Sequence, residues 1–158
     1  MYIEKYWENY IGGTDDSMTL LEYLANKQKE EISLGEIFSD TGLDKLQGDF
    51  KETDSLSVCM DGLEVEIYYA IDLITDLAAL LLECKKSGSV NLNDLDESYE
   101  PDSTIQIIAT PKEHELMNKA LKDFVADPLS YNLSEMVPEE DMLEMAEICE
   151  ELRKELYE

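Results

Sequence analysis

The sequence is short of the residues that most often carry chemistry: 158 positions hold one histidine, three cysteines, seven glycines and four prolines. His114 has no second His or Cys at ligand spacing, so a Cys/His zinc site has nothing to form from. A lone imidazole without a sequence partner is also a poor start for acid–base catalysis. Cys59, Cys84 and Cys149 are widely spaced, odd in number and free of CxxC spacing, which fits a reducing compartment and no disulfide framework. Each lies in an apolar pattern and is expected to be a small buried hydrophobe. Gly12-Gly13 is the only Gly-Gly pair, and the acids that follow it would repel a phosphate. No nucleophile elbow or Walker-type loop occurs. The longest apolar stretch, 70–82, is broken by Asp72, Thr75 and Asp76 and is too short to cross a bilayer. The first eight residues lack a basic region followed by an apolar one, so no signal peptide is expected and the protein is placed in the cytoplasm.

Positive charge is scarce beside negative. Twelve Lys and Arg face 38 Asp and Glu, a net charge of −26. Such a surface repels phosphate backbones and anionic headgroups, which argues against direct nucleic-acid or membrane binding. It would draw in a basic protein quickly, because complementary charge raises association rates. Acidity also keeps a protein soluble without any partner. So many acids make carboxylate pairs inevitable, and for that reason no pair marks a hydrolase. The run Asn91–Asp96 alternates like a calcium loop, but it lacks glycine at the sixth position and puts Leu95 where a ligand is needed. No catalytic residue, cofactor or metal is assigned.

What is present is enough apolar sequence, 44%, to bury a core in a single domain over 1–158. Thr19 and Glu22 have capping-box spacing, with Met18 and Tyr23 as a staple, so a first helix is expected over about 18–30 with Leu20, Leu21, Leu24 and Gln28 on one face. Ser33–Ser39 reads as a shorter helix stopped by Thr41-Gly42, and 44–54 as a polar connection. Leu56, Val58 and Met60 alternate before Asp61-Gly62, and Leu63, Val65, Ile67 and Tyr69 after it, which predicts a β-hairpin. A central helix follows over 70–86, apolar around most of its circumference and carrying a narrow stripe of Asp72, Asp76, Ala79 and Glu83. Residues 91–102 read as an acidic loop and 104–109 as a third strand. Thr110, Pro111 and Glu113 open a helix that runs to Asp127-Pro128. Pro138 opens the last helix, with Met142, Met145, Cys149, Leu152 and Leu156 at 3-4 spacing. The expected class is α+β: a small antiparallel sheet, the hairpin plus at least one further strand, packed with four or five helices.

One segment looks specified, Tyr6–Ser17, with the only Trp, two Tyr and two glycines ahead of two acids. Trp7 and Tyr10 are candidate interface anchors and Asp15 and Asp16 steering charges. The competing reading packs the aromatics of an N-terminal strand against the sheet, with a turn behind them. Glu64, Glu66 and Tyr68, on the second face of the hairpin, form another candidate patch if that face is open. The run Trp7–Ser17, the acid excess and the Glu-rich ending resemble the small acidic immunity proteins encoded beside bacterial polymorphic toxins. That resemblance implies a protein partner, a basic toxin domain such as a nuclease, whose active site or substrate groove is covered. The alternative from another class is an acidic adaptor or secretion chaperone for a basic client.

Overall fold

A single buried helix organises the molecule. In the computed structural model, which describes residues 2–7, 10–52 and 56–158, α3 (Ala70–Ser87) is buried along its whole length from Ala70 to Glu83. Ile71, Leu73, Ile74, Leu77, Leu80 and Leu81 make it apolar on nearly every side, so neighbours must surround it. α5 (Pro111–Ala126) and α6 (Glu139–Tyr157) pack on it, as do α1 (Asp15–Lys27) and a 3-10 turn at Ile3–Lys5. Gly88, at φ 88°, ends α3 in the left-handed region, with its N–H donating to Cys84 O at 2.9 Å.

Of the two small sheets, the first packs on this helix and the second on α1 and the helix that follows it. β5 (Thr104–Ile108) is the middle of the first, parallel to β1 (Glu31–Ser33) and antiparallel to β4 (Val90–Asn91). Its alternation turns Ile105 and Ile107 inward. The hairpin, β2 (Ser57–Met60) and β3 (Leu63–Glu66), forms a separate two-stranded sheet with Val58 opposite Val65. Asp61 (φ 52°) and Gly62 (φ 80°) both take the positive angles that a tight hairpin turn matches to strand twist. The α+β class therefore holds, with six helices among the described residues and the hairpin and third strand in different sheets. β1 and β4 have three and two residues, too few to show an alternation in sequence.

Helix ends follow capping chemistry. α5 starts as expected: Thr110 Oγ1 accepts from the Glu113 N–H at 3.1 Å, and Glu113 Oε1 accepts from the Thr110 N–H at 2.8 Å. α6 buries Met142, Met145, Cys149, Leu152 and Leu156. α1 begins earlier than Thr19-Glu22 spacing indicates, because Thr14 is its cap: Thr14 Oγ1 accepts from the Ser17 N–H at 3.0 Å, and the Ser17 hydroxyl accepts in return from Thr14 N. This start lets Asp15 and Asp16 sit in the first turn, where the helix dipole favours acids. Thr19 lies inside the helix, and Gln28 is its exposed left-handed end (φ 53°), off the buried face. α2 (Leu34–Thr41) is capped by Ser33 and stopped by Gly42. The connection after it opens with a 3-10 turn, Leu43–Leu46, and buries Phe50 edge-on against Phe38; its residues 53 and 54 lie outside the described set. The stretch read as an acidic loop holds the end of β4 and a four-residue helix, α4 (Leu92–Leu95), started by Asn91 Oδ1 accepting from Asn93 N.

Only Cys149 of the three cysteines is fully buried; Cys84 is half-buried and Cys59 exposed. Cys59 sits opposite Glu64 on the outward face of the hairpin, where alternation places it whatever its hydrophobicity. With the net charge at −26, the folded state repels itself. The melting temperature is expected to rise between about 10 mM and 150 mM salt as the Debye length falls from ~30 to ~8 Å. A fall over that range in a thermal scan would show that specific ion pairs outweigh the net repulsion.

Candidate partner-binding site

The acid stripe of α3 faces protein, and what covers it is the N-terminal segment. Asp76, 1% exposed, accepts from the Gly12 N–H at 2.8 Å and the Ser17 hydroxyl at 2.6 Å. Glu83 accepts from the Ile3 N–H at 3.4 Å and the Ser87 hydroxyl at 2.5 Å. The segment is tied to α6 as well. The Tyr6 hydroxyl donates to Glu155 at 2.6 Å, and that of Tyr10 to Glu144 at 2.8 Å and Asp141 at 3.1 Å. The Glu144 bond is the main reason the Tyr10 phenol is pushed up to about 12. Trp7 is buried against Gly12, which at φ 82° makes the turn: a Cβ there would stand 2.2 Å from the indole. Gly12→Ala is expected to cost about 1–3 kcal/mol through overpacking and the positive φ, read as a lower urea midpoint.

Trp7 and Tyr10 are thus spent on the protein's own fold, Trp7 wholly and Tyr10 through its hydroxyl. Tyr6 caps the 3-10 turn Ile3–Lys5 and Trp7 is bridged to Ile11, so the described aromatics are not in a strand on the sheet; Glu8 and Asn9 lie outside the described residues. Asp16, 2% exposed, is equally committed. Its two oxygens accept from the Tyr68 and Tyr69 N–H groups, each at 2.8 Å, fixing the approach to α3 on the first turn of α1.

Those two bonds also build a cleft. Asp15, Asp16, Tyr68, Tyr69 and Asp72 line a cavity of about 320 Å³, closed on the other side by Leu133, Met136 and Val137 from the turn before α6. Asp15 and Tyr68 are exposed at this cleft. Burial, with Asp76 and Asp16 nearby, pushes the Asp72 carboxyl up to about 8. Burial likewise raises Asp76 to about 7 against the pull of its Ser17 and Gly12 donors, and raises Asp16 against the two amide bonds it accepts. Glu64 and Glu66 are exposed elsewhere, on the outward face of the hairpin with Ser57 and Cys59. Glu64 lines a different, polar hollow with Asp40, Lys45 and Ser57. Tyr68 therefore parts from the two glutamates it was grouped with and joins Asp15 and Asp16.

The family model described as Immunity protein 68 matches residues 2–156. The chain belongs to that family. No curated protein and no solved structure matches it, so the family model carries the assignment. Membership in the immunity protein 68 family makes its function of the immunity type and its partner a protein, a toxin. No helix among the described residues is long and apolar enough to cross a membrane.

Tyr69, Asp72, Leu133, Met136 and Val137 were not singled out from the sequence of this immunity protein. Asp72 carried a signal, an acid in an otherwise apolar helix, but it reads equally well as a solvated stripe. The turn at 133–137 meets α1 only through the tertiary fold.

Proposed function

We propose that this immunity protein neutralises a basic toxin domain, a nuclease, by covering its active site or substrate groove with an acidic surface. The observation that carries this reading is the charge of −26 on a member of an immunity family. A nuclease must hold a phosphate backbone, so its groove is basic, and an acidic protein competes for it by the same field. The exposed candidates for first contact are Asp15 and Tyr68 at the cleft and Glu64 and Glu66 on the hairpin. Immunity by occlusion needs no catalytic group of its own. Escort of a basic client, the adaptor reading, would leave the client active; inhibition is the reading that family membership favours.

The test is co-expression with the toxin domain encoded beside this gene. Cells are expected to survive only when this protein is present, and the two chains to co-purify. Equal killing with and without it, and no recovered complex, would sink the proposal. Replacing Asp15, Glu64 and Glu66 by Lys is expected to slow association and flatten its salt dependence while leaving dissociation nearly unchanged. Asp16 is left out of that set because it holds two backbone amides.

A further inference from the structure

The cleft beside Asp16 holds a group that the fold does not satisfy. Asp72 is 3% exposed, and its Oδ1 receives no hydrogen bond from an N–H or O–H of any described residue. Such atoms are rare in native proteins and ask for an explanation. Asp16, alongside, has both oxygens on backbone amides and is the one group that shares a side-chain hydrogen bond with Asp72, acid to acid. No Lys or Arg is among the residues lining the cleft, and the charges that raise Asp16 and Asp72 are those of other acids, Asp15 for the one and Asp76 and Asp16 for the other. Apart from Thr14, the rest of the wall is apolar: Leu133, Met136 and Val137, with the Tyr68 and Tyr69 rings. Tyr68 and Met136 are 53% and 73% exposed, large apolar surfaces left in water at the edge of the cleft.

An acid floor beneath apolar walls is complementary to one kind of group, a long side chain with an aliphatic stem and a cationic head. The size agrees, since about 320 Å³ lies at the lower end of ligand pockets and suits one side chain better than a cofactor. Burial and the facing acids keep the Asp72 carboxyl largely protonated at neutral pH; a cation that takes the place of that proton supplies the attraction they withhold, and aromatic faces at the mouth favour it further. A divalent metal fits less well: no group of three His, Cys, Asp or Glu among the described residues is placed to hold one.

We propose that this cleft is the anchor pocket of the immunity protein and takes one lysine or arginine side chain of the toxin, its stem on Leu133, Met136 and Val137 and its head on Asp72. The proposal rests on the immunity reading and gives it a point of attachment. Desolvation makes an ion pair at such a centre dominate dissociation, whereas Asp15, Glu64 and Glu66 act on the approach.

Two measurements test it. In the first, the wild-type protein is titrated with n-butylguanidinium, n-butylammonium and, as a neutral control, 1-butanol, following the Tyr68 and Tyr69 amide and Met136 methyl NMR signals. Saturable shifts are expected with the cations, weaker by about tenfold or more with butanol, and lost in Asp72→Asn. The tighter of the two cations indicates whether the toxin offers arginine or lysine. An equal response to butanol, persistence in Asp72→Asn, or a stronger response to magnesium or calcium overturns the proposal. In the second, Asp72→Asn is expected to raise the Kd for the neighbouring toxin domain by about 30-fold or more, mainly through dissociation. An unchanged Kd in that variant overturns the anchor and leaves the immunity reading standing. If the wild type itself does not bind the toxin, the immunity reading falls, and the cation titration alone decides on the cleft.

Discussion

Between about pH 5 and pH 8 the protein is expected to lose about 4 kcal/mol of stability, and Asp72→Asn to restore much of it at the upper end. The cause is the pair of buried acids on α3. Burial first, then Asp76 and Asp16, raise Asp72 to about 8, and burial raises Asp76 to about 7. In the unfolded chain both titrate near 4. Raised folded values mean that the native state holds more protons across this window, so stability is fullest below about pH 4 and declines as pH rises through about 7–8. One pK unit is worth about 1.4 kcal/mol, and the two carboxyls share one field, so their contributions do not simply add. Asp16, also raised, acts in the same direction.

Groups with lowered values do not cancel this. Glu36, Asp40, Glu150 and Glu155 are held down by Lys27, Lys29, Arg153, Lys5 or tyrosine hydroxyl partners, and so are ionised in both states above about pH 5. His114, lowered chiefly by burial, opposes the trend below about pH 7, but it is one half-buried imidazole donating or accepting at Tyr157. Urea titrations at several pH values check the slope. A wild type as stable at pH 8 as at pH 5, or an Asp72→Asn variant with the wild-type slope, would mean that the α3 acids are not buried as described.

Trp7→Ala is expected to cost about 3–5 kcal/mol, as removal of a large core side chain does. Trp7 is 6% exposed and lies against Gly12, whose N–H is held by Asp76, so truncation also loosens the turn over the acid stripe. The measurement separates two roles. A contact anchor would leave the melting temperature intact and speed toxin dissociation; a core residue lowers the urea midpoint with the m-value kept, and the folded protein still binds. Rapid dissociation at unchanged stability would return Trp7 to the interface.

The sequence by itself determined the elements whose causes are local. Thr110-Pro111 and Glu113 start α5, Asp61-Gly62 turns the hairpin, Gly42 and Gly88 stop α2 and α3, and the 3-4 spacing from Met142 to Leu156 sets the buried face of α6. Each is decided within a few residues by hydrogen bonds or backbone angles that sequence shows directly. Charge and the immunity resemblance were legible for the same reason: neither depends on which residues meet. Tertiary structure alone decided the fate of the polar positions. A stripe such as Asp72, Asp76 and Glu83 can face water or protein, and only the tertiary fold buries it: Ile3 meets Glu83, Gly12 and Ser17 meet Asp76, and Asp72 lies beside Asp16. The same fold turned Trp7 and Asp16 from candidate contacts into buried supports, and it brought Asp15, Tyr68 and Asp72 to one cleft with the distant Met136. Burial is a property of long-range neighbours, which a local pattern of apolar and polar residues does not encode.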